Sequence, residues 1–253
     1  MMDKNWRFHC GTSASKQTNS EDAMVRERRD FIKAGLVATA AVVLPSFATG
    51  AIDATQPRIK NVLIINAHQT YSGLSEGALN REYVALIKDE MVKKGYHIQQ
   101  TYIEKGYNIN EEVQKHLWAD IIITQSPVFW FGAPWIYKKY VDEVFTAGMS
   151  QQSFLIDDGR IPNDPSKQYG SGGKLHGKKF LLSLTMNTPK EAFDDPVQRF
   201  YAGRSLEDLF SPTTSVYKFC GFAILPVFGS FDVIKAPQIV EDKVRLIRYL
   251  AEL

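Results

Sequence analysis

RIKNVLIINAH, residues 58–68, is a short apolar run rich in isoleucine, and it carries no helical stripe. A run of this kind is typical of a strand buried on both faces of a parallel sheet. ADIIITQSP, residues 119–127, and KKFLLSLTMN, residues 178–187, have the same character. Because both faces of such strands must be covered, the three runs predict a sheet with helices on either side.

Amphipathic segments alternate with these apolar runs. Residues 75–95 carry apolar side chains at helical spacing and end in Lys-Lys-Gly, a helix stop signal. Residues 134–148 begin with proline and end with glycine, which is typical of a helix. Further strands are predicted at 97–104 and 222–231, and further helices within 203–219 and 237–253. Strands that alternate with helices predict a doubly wound, flavodoxin-like α/β fold with five parallel strands in the order 2-1-3-4-5.

Composition narrows the function classes. The 253 residues are 44% hydrophobic and 23% charged, as in an ordinary globular protein, and the formal net charge is +2. With so small a net charge there is no large basic field, so nucleic acid is not predicted as a partner. The five histidines show no metal-binding spacing, and the motifs of dinucleotide-binding loops, P-loops and serine hydrolases are missing. We expect no metal site and no side-chain nucleophile.

The N-terminal region differs from the rest of the chain. Residues 1–23 are polar and irregular, RRDFIK occupies residues 28–33, and an apolar stretch at 34–44 is followed by proline and small residues. This stretch is shorter than the about 20 residues that a transmembrane helix needs, and it fits the apolar part of a cleavable signal. RRDFIK resembles the twin-arginine export signal.

We therefore expect residues 1–51 to be a leader with a twin-arginine signal within 24–51, and residues 58–253 to form one domain. The alternative is an amphipathic or core helix with a chance Arg-Arg pair. If the signal is used, the twin-arginine export machinery is a partner and the location is periplasmic; otherwise the protein is cytoplasmic. Met24 is an alternative start to Met1.

In open α/β sheets, ligands bind beyond the carboxyl ends of the strands. After the first strand, Ser75, Gly77 and Asn80 surround a predicted helix N-terminus, where free N–H groups and the helix dipole favour a phosphate. The alternative is that Ser75 is an ordinary N-cap. His68, at the strand end, fits a hydrogen-bonded structural residue better than a catalyst.

QSPVFWFGAPW, residues 125–135, places four large aromatic side chains in and beside a loop after the third strand. Phe129, Trp130 and Phe131 would form an apolar surface patch unless ligand or protein covers them. A planar heteroaromatic ring stacked there would bury them, and local N–H groups would bond its polar edge. The alternative is that Trp130 and Trp135 cap the core, which we expect for Trp135 at the start of the next helix.

Several co-linear motifs carry a family resemblance from about residue 61 to the C-terminus. They are VLIINAH, LWADIII with PVFWFGAPW and KKYVDEVF, DGR and DPSKQYGSGG with GKKFLLSLT, NTPKEAF, and FCGFAILP. Together they resemble the flavodoxin-like NAD(P)H:quinone reductase family, above all its bacterial modulator-of-drug-activity branch. The resemblance implies FAD as the cofactor, with FMN less favoured, NAD(P)H as co-substrate, a quinone as acceptor, and a homodimer with the flavin at or near the subunit interface.

The resemblance also implies roles for individual positions. The pyrophosphate-binding set is Ser75, Gly77, Leu79 and Asn80, with His68 near. The set that lines the flavin ring is Pro127, Val128, Phe129, Trp130 and Phe131. Tyr169 joins this set from a long loop, the irregular stretch at residues 149–174 that is rich in Gly, Asp, Pro and Ser. The set that bonds the polar side of the ring is Thr185, Met186, Asn187 and Thr188. No catalytic side chain is implied, because the flavin performs the chemistry. Mammalian-type relatives carry a histidine after the fourth strand, whereas residues 187–203 contain none.

Two alternatives to a quinone reductase stay open. One is an exported or regulatory flavin-binding electron-transfer protein with another electron donor, since NAD(P)H is not expected outside the cytoplasm. The other is an FMN-dependent azoreductase or nitroreductase, which differs in its cofactor.

Overall fold

A computed structural model of the protein describes residues 60–253. In this range six strands form one parallel sheet: β1 Asn61–Asn66, β2 His97–Tyr102, β3 Ile121–Pro127, β4 Lys179–Thr185, β5 Ala223–Ile224 and β6 Phe228–Ser230. The α-helices of the same range are α1 Ala78–Lys93, α2 Ile109–Trp118, α3 Trp135–Ser150, α4 Leu206–Phe219 and α5 Ile239–Ala251. The strand order β2-β1-β3-β4-β5 confirms the flavodoxin-like prediction. The predicted leader at 1–51 lies outside the described residues.

Alternating side chains along each strand separate two cores, one on each face of the sheet. On one face Ile64, Ile123 and Leu181 pack with α1 and α5. On the other face Leu63 and Ile122 pack with α2, α3 and α4. All five side chains are fully buried, as expected for strands covered on both sides. None of the helices in the described range is long and apolar enough to span a membrane.

The edge of the sheet beside β4 is formed by β5 and β6, and one extra residue lies between these two strands. β5 and β6 both pair in parallel with β4, but their registers differ by one residue. A single extra residue is a β-bulge, and it reverses the facing of the side chains beyond it. Leu225 before the bulge and Phe228 after it therefore pack into the same core, with α1 and α5. The strand predicted at 222–231 is thus divided in two, at Pro226, which has no N–H for the ladder.

The helices that border the carboxyl ends of the strands begin in different ways. α4 begins with a capping box in which Ser205 and Asp208 bond each other's backbone N–H groups through their side chains, both at 3.0 Å. α1 and α3 begin without a side-chain cap. Trp135 opens α3 as predicted, but its side chain is 61% exposed, so the expectation that it caps the core is wrong. The buried stripe of α3 begins at Ile136 and Tyr137, and Trp135 falls outside it.

His116, on α2, is fully buried among aromatic rings. The Phe154 ring lies 5.5 Å from its centroid and the Tyr217 ring 6.2 Å. Its Nδ1 donates to the Glu112 carbonyl at 2.9 Å, because a carbonyl can only accept. Its Nε2 is buried without a hydrogen-bond partner among the described residues. Burial lowers the pKa of His116 to about 4.

We expect folding stability to fall on acidification because of His116. Its ordinary pKa is 6.5, so between pH 6.5 and about 4 the unfolded chain binds a proton that the folded chain does not. The stabilisation is complete above pH 6.5 and is lost as the pH falls toward 4, a change of ~3 kcal/mol in the free energy of unfolding. His116→Phe should flatten this decline in urea unfolding at several pH values. His97→Gln, at an exposed position of β2, is the control, and an equally steep decline in H116F would contradict the prediction.

Candidate active site at the carboxyl ends of the strands

A row of buried polar side chains crosses the carboxyl ends of β1, β3 and β4. Asn66, Gln125 and Ser183 are register partners on these strands. Gln125 accepts from the Ser183 hydroxyl at 2.6 Å and donates to Asn80 of α1 at 3.2 Å. Asn80 in turn donates to Asn66 at 2.8 Å. None of the four is more than 5% exposed, and their mutual hydrogen bonds offset the cost of burying polar atoms. This polar row attaches the start of α1 to the sheet.

His68 continues the polar row directly after β1 and is 4% exposed. Its backbone N–H donates to Asn66 Oδ1 at 3.0 Å. Its ring Nε2 lies 3.2 Å from Ser75 Oγ, and its Nδ1 lies 3.7 Å from the Glu104 carboxylate. Burial lowers the pKa of the ring, which Glu104 opposes only in part, so the imidazole is neutral near pH 7. His68 thus supports the loop after β1 from inside the protein.

α1 begins at Gly77, which has a φ of +73°, and the alternative of Ser75 as N-cap is wrong. A Cβ at position 77 would lie 2.5 Å from His68 Cε1, so the packing of the ring as well as the left-handed backbone requires glycine. The Ser75 hydroxyl is directed to His68 instead of to the helix. The backbone N–H groups of residues 78–80 donate to no other described residue. The first turn of α1 therefore offers donors and a positive dipole end to an anion.

The aromatic segment after β3 forms a tight turn. Phe129 and Gly132 exchange backbone hydrogen bonds of 2.8 and 3.1 Å, and the Phe129 ring meets the edge of Tyr71 at 5.2 Å. The two central residues, Trp130 and Phe131, have φ angles of +47° and +66°. Bulky residues rarely adopt this region, which costs on the order of 1–3 kcal/mol each. The strained turn holds the Trp130 side chain 94% exposed and that of Phe131 56% exposed.

A cleft of about 220 Å³ lies beside this aromatic turn. Its lining residues are Val128, Trp130, Phe131, Met186, Asn187 and Thr188. The two halves come from the loops after β3 and β4, which a hydrogen bond from the Val128 N–H to the Thr185 carbonyl joins at 2.9 Å. The N–H groups of Asn187 and Thr188 donate to no other residue in the described range. The cleft thus combines apolar surfaces with two backbone donors, and its lining contains no ionisable side chain.

Comparison with known proteins places the chain in a family. A family model described as a flavodoxin-like fold matches residues 60–250. Over 179 residues the chain is 37% identical to the NADPH:quinone oxidoreductase MdaB of Haemophilus influenzae, an alignment that covers 71% of this chain and 91% of that protein. The chain belongs to the flavodoxin-like NAD(P)H:quinone reductase family.

Solved structures agree with the fold of this quinone reductase family member. An NADPH-quinone reductase from P. pentosaceus matches with a TM-score of 0.54 and 15% identity, over 77% of this chain and 99% of that chain. General stress protein 14 of Treponema denticola, solved in complex with FMN, matches with a TM-score of 0.50 and 17% identity, over 76% and 98%. At these identities the likeness supports the fold alone.

Most of the positions implied by the family resemblance lie together. Six of them line the cleft, and Phe129 supports the aromatic turn from the side of Tyr71. Pro127 and Thr185 are paired at the strand ends, where Thr185 is 5% exposed and its carbonyl accepts from the Val128 N–H. Leu79 packs against the core under α1. Among residues 60–253, no group of three or more His, Cys, Asp or Glu side chains is placed to hold a metal ion.

Tyr169 lies elsewhere in the chain. Its side chain is 70% exposed, and its ring contacts Phe219 of α4 at 5.2 Å. With residues of α3 and α4 it lines a groove of about 430 Å³ that shares no lining residue with the cleft. Within one chain, the long loop therefore does not bring Tyr169 to the predicted ring-binding residues.

Two features of the site escaped the sequence reasoning. The polar row could have been predicted from the sequence, because Asn66, Gln125 and Ser183 each interrupt an apolar run on the side of the sheet that α1 covers. The position of Phe200, whose ring lies 5.2 Å from that of Phe131, could not have been predicted from a sequence pattern, because this contact joins two loops that are far apart in sequence.

We expect Gly77→Ala to weaken the folded state more than Gly73→Ala does. The two glycines have nearly equal φ angles, +73° and +74°, but a Cβ meets the His68 ring at position 77 and nothing within 4 Å at position 73. Both variants therefore lose ~1 kcal/mol of stability for placing alanine in a left-handed backbone conformation. Any further loss in Gly77→Ala measures the cost of displacing the His68 ring. Urea unfolding of both variants measures it. Equal losses of stability would show that the His68 ring moves aside without cost.

Proposed function

We propose that the protein is a flavin-dependent two-electron NAD(P)H:quinone oxidoreductase with FAD as its cofactor. The observation that carries the proposal is the cleft beside the aromatic turn, where Trp130 and Phe131 are exposed despite a strained backbone. Strain of this kind concentrates at ligand sites. A bound flavin supplies the hydride-accepting and electron-donating chemistry that links NAD(P)H to a quinone.

The residues of the cleft fit a planar ring with one polar edge. Val128, Trp130 and Phe131 offer apolar surface for the ring face. The N–H groups of Asn187 and Thr188, which have no acceptor in the described part of the chain, are donors for its polar edge, and they stabilise negative charge there. Because no lining side chain is ionisable, the protein contributes binding, orientation and exclusion of water, without a side-chain acid or base.

The open first turn of α1 supports the binding of a phosphate or pyrophosphate group. Three consecutive N–H groups, at residues 78–80, donate to no other residue within 60–253, and Gly77 allows close approach of the backbone. The side chains of Ser75, His68 and Asn80 are engaged with one another or with the polar row, so they position this loop. FAD is preferred to FMN on the resemblance to the quinone reductases. FMN is the competing cofactor, since one structure of the same fold was solved with it.

We expect purified protein to carry FAD, to be bleached by NADPH under anaerobic conditions, and to regain its colour when a quinone is added. Trp130→Ala should weaken flavin binding about tenfold or more, because a stacked aromatic surface is lost. Trp135→Ala is the matched control, because Trp135 is also exposed but lies outside the cleft. Mass analysis of the released flavin distinguishes FAD from FMN. Bleaching without recovery on quinone would favour the electron carrier, and absence of flavin would exclude the proposal.

A homodimer with the flavin near the subunit interface is part of the proposal. The large exposed side chains of Trp130 and Tyr169 support it, because apolar surface of this kind is commonly covered by a second subunit. Tyr169, which lies away from the cleft of its own chain, is available to a partner. Sedimentation velocity gives the mass of the purified protein, and a monomer at micromolar concentration would exclude the dimer.

We also propose export by the twin-arginine route, on the basis of RRDFIK at residues 28–33. This route carries folded proteins, so the flavin would be bound before export, and an exported protein would need an electron donor other than NAD(P)H. Replacing Arg28 and Arg29 with lysine should retain the protein in the cytoplasm, as cell fractionation would detect. A cytoplasmic location of both the unmodified protein and the double variant would exclude export and leave the cytoplasmic activity as the relevant one.

A further inference from the structure

The loop between β4 and α4 contains a segment closed upon itself. The Asp194 N–H donates to the Arg204 carbonyl at 3.1 Å, which joins the two ends of an eleven-residue segment, 194–204, and inside it the Ala202 N–H donates to the Gln198 carbonyl at 2.9 Å. Compact closed loops of this size are Ω-like and are frequently functional. The segment is attached to the core through Tyr201, which is 8% exposed and stacks on Phe193 at 4.9 Å.

The residue next to this anchor is mostly exposed. Phe200 is 66% exposed, and its N–H is satisfied by the Gln198 side chain at 3.0 Å. Backbone hydrogen bonds close the loop, and Tyr201 attaches it to the core. The Phe200 ring meets the Tyr201 ring edge to face at 4.9 Å, and most of its surface remains open to solvent. Val197, on the same loop, is 87% exposed. A phenyl ring this exposed suggests a ligand that covers it.

The position of Phe200 identifies that ligand. Its ring lies 5.2 Å from the ring of Phe131 at an angle of 31°, and Phe131 lines the cleft. The two rings form one apolar surface that runs from the wall of the cleft out to solvent. A second ring that lies against a flavin held in the cleft would therefore place a substituent on Phe200 when that substituent extends out of the site.

We propose that Phe200 is a specificity-determining residue that selects quinones carrying an apolar substituent on the ring. This inference rests on the proposed quinone reductase function and adds the class of acceptor. The substituent gains contact with Phe200 while the quinone ring lies against the flavin held in the cleft, so small hydrophilic quinones lack that part of the binding free energy. Because the contact involves the substituent and not the reacting ring, it acts on affinity and kcat/KM and leaves the chemistry of the ring unchanged.

The test compares two benzoquinones that differ only in an n-decyl side chain, using the full flavin-loaded protein. In the unmodified protein kcat/KM should favour the decyl quinone, and Phe200→Ser should reduce this preference about tenfold while kcat for the short quinone is retained. Phe200→Leu, which keeps apolar surface, should retain most of the preference. Val197→Ser tests the neighbouring exposed residue, and Val240→Ser, at a 71% exposed position of α5, is its matched control.

Equilibrium dialysis of the same two quinones supplies a readout that does not depend on turnover. Loss of the decyl preference in F200S, in dissociation constants as in kcat/KM, supports the proposal. If no quinone is reduced but the binding preference is lost in F200S, the inference about Phe200 stands and the proposed function fails. An unchanged preference in F200S overturns the inference. If the preference is unchanged and sedimentation shows that F200S no longer dimerises, a second copy of the chain covers Phe200, and the inference is overturned as well.

Discussion

Asn66, Gln125 and Ser183 stand side by side where three parallel strands end, and Asn80 of α1 completes their hydrogen bonds. In the layer before them, Ile64, Ile123 and Leu181 occupy the same face of the sheet with purely apolar contacts. Apolar packing tolerates small shifts of a helix along a sheet, whereas a closed set of directional bonds does not. The polar row therefore fixes where α1 begins. The open N–H groups of its first turn and the packing of His68 on Gly77 follow from that position.

The polar row is stabilised by its hydrogen bonds, whereas the aromatic turn is strained. Trp130 and Phe131 occupy backbone conformations that glycine or asparagine would adopt at lower cost, and their rings face solvent. The turn persists because the paired bonds between Phe129 and Gly132 close it and the Val128–Thr185 bond holds its first end to the sheet. Rigid strands thus carry the strain of the turn, and the rings are oriented before any ligand arrives. Preorganisation of this kind reduces the ordering cost of binding.

The sequence contained enough information for the fold and only part of the site. Apolar runs such as residues 58–68 and 119–127 predict buried parallel strands because their pattern depends on local burial alone, and the strand order followed. The prediction that Trp135 covers the core was wrong because Trp135 is the first residue of its helix. No earlier turn of that helix provides a hydrophobic pattern that would show which side of the helix its side chain occupies. Ser75 was a reasonable cap by composition, but Gly77, with its positive φ and its contact with His68, starts the helix. Tyr169 and Phe200 depend on how two long loops pack, and no period in the sequence encodes such contacts.

The bulge between β5 and β6 changes which face of the sheet each later side chain of the strand occupies. Beyond it Ser230 faces α1 and α5, where it accepts from the Tyr83 hydroxyl at 2.9 Å and donates to Asp242. Asp242 also pairs with Arg245, which reaches the Gly229 carbonyl at 2.7 Å. All of these contacts depend on how many residues separate β5 from β6. One insertion or deletion in this crossing would turn every following side chain of the strand to the wrong face, so the length of the crossing is as much a constraint on the fold as the packing of Leu225.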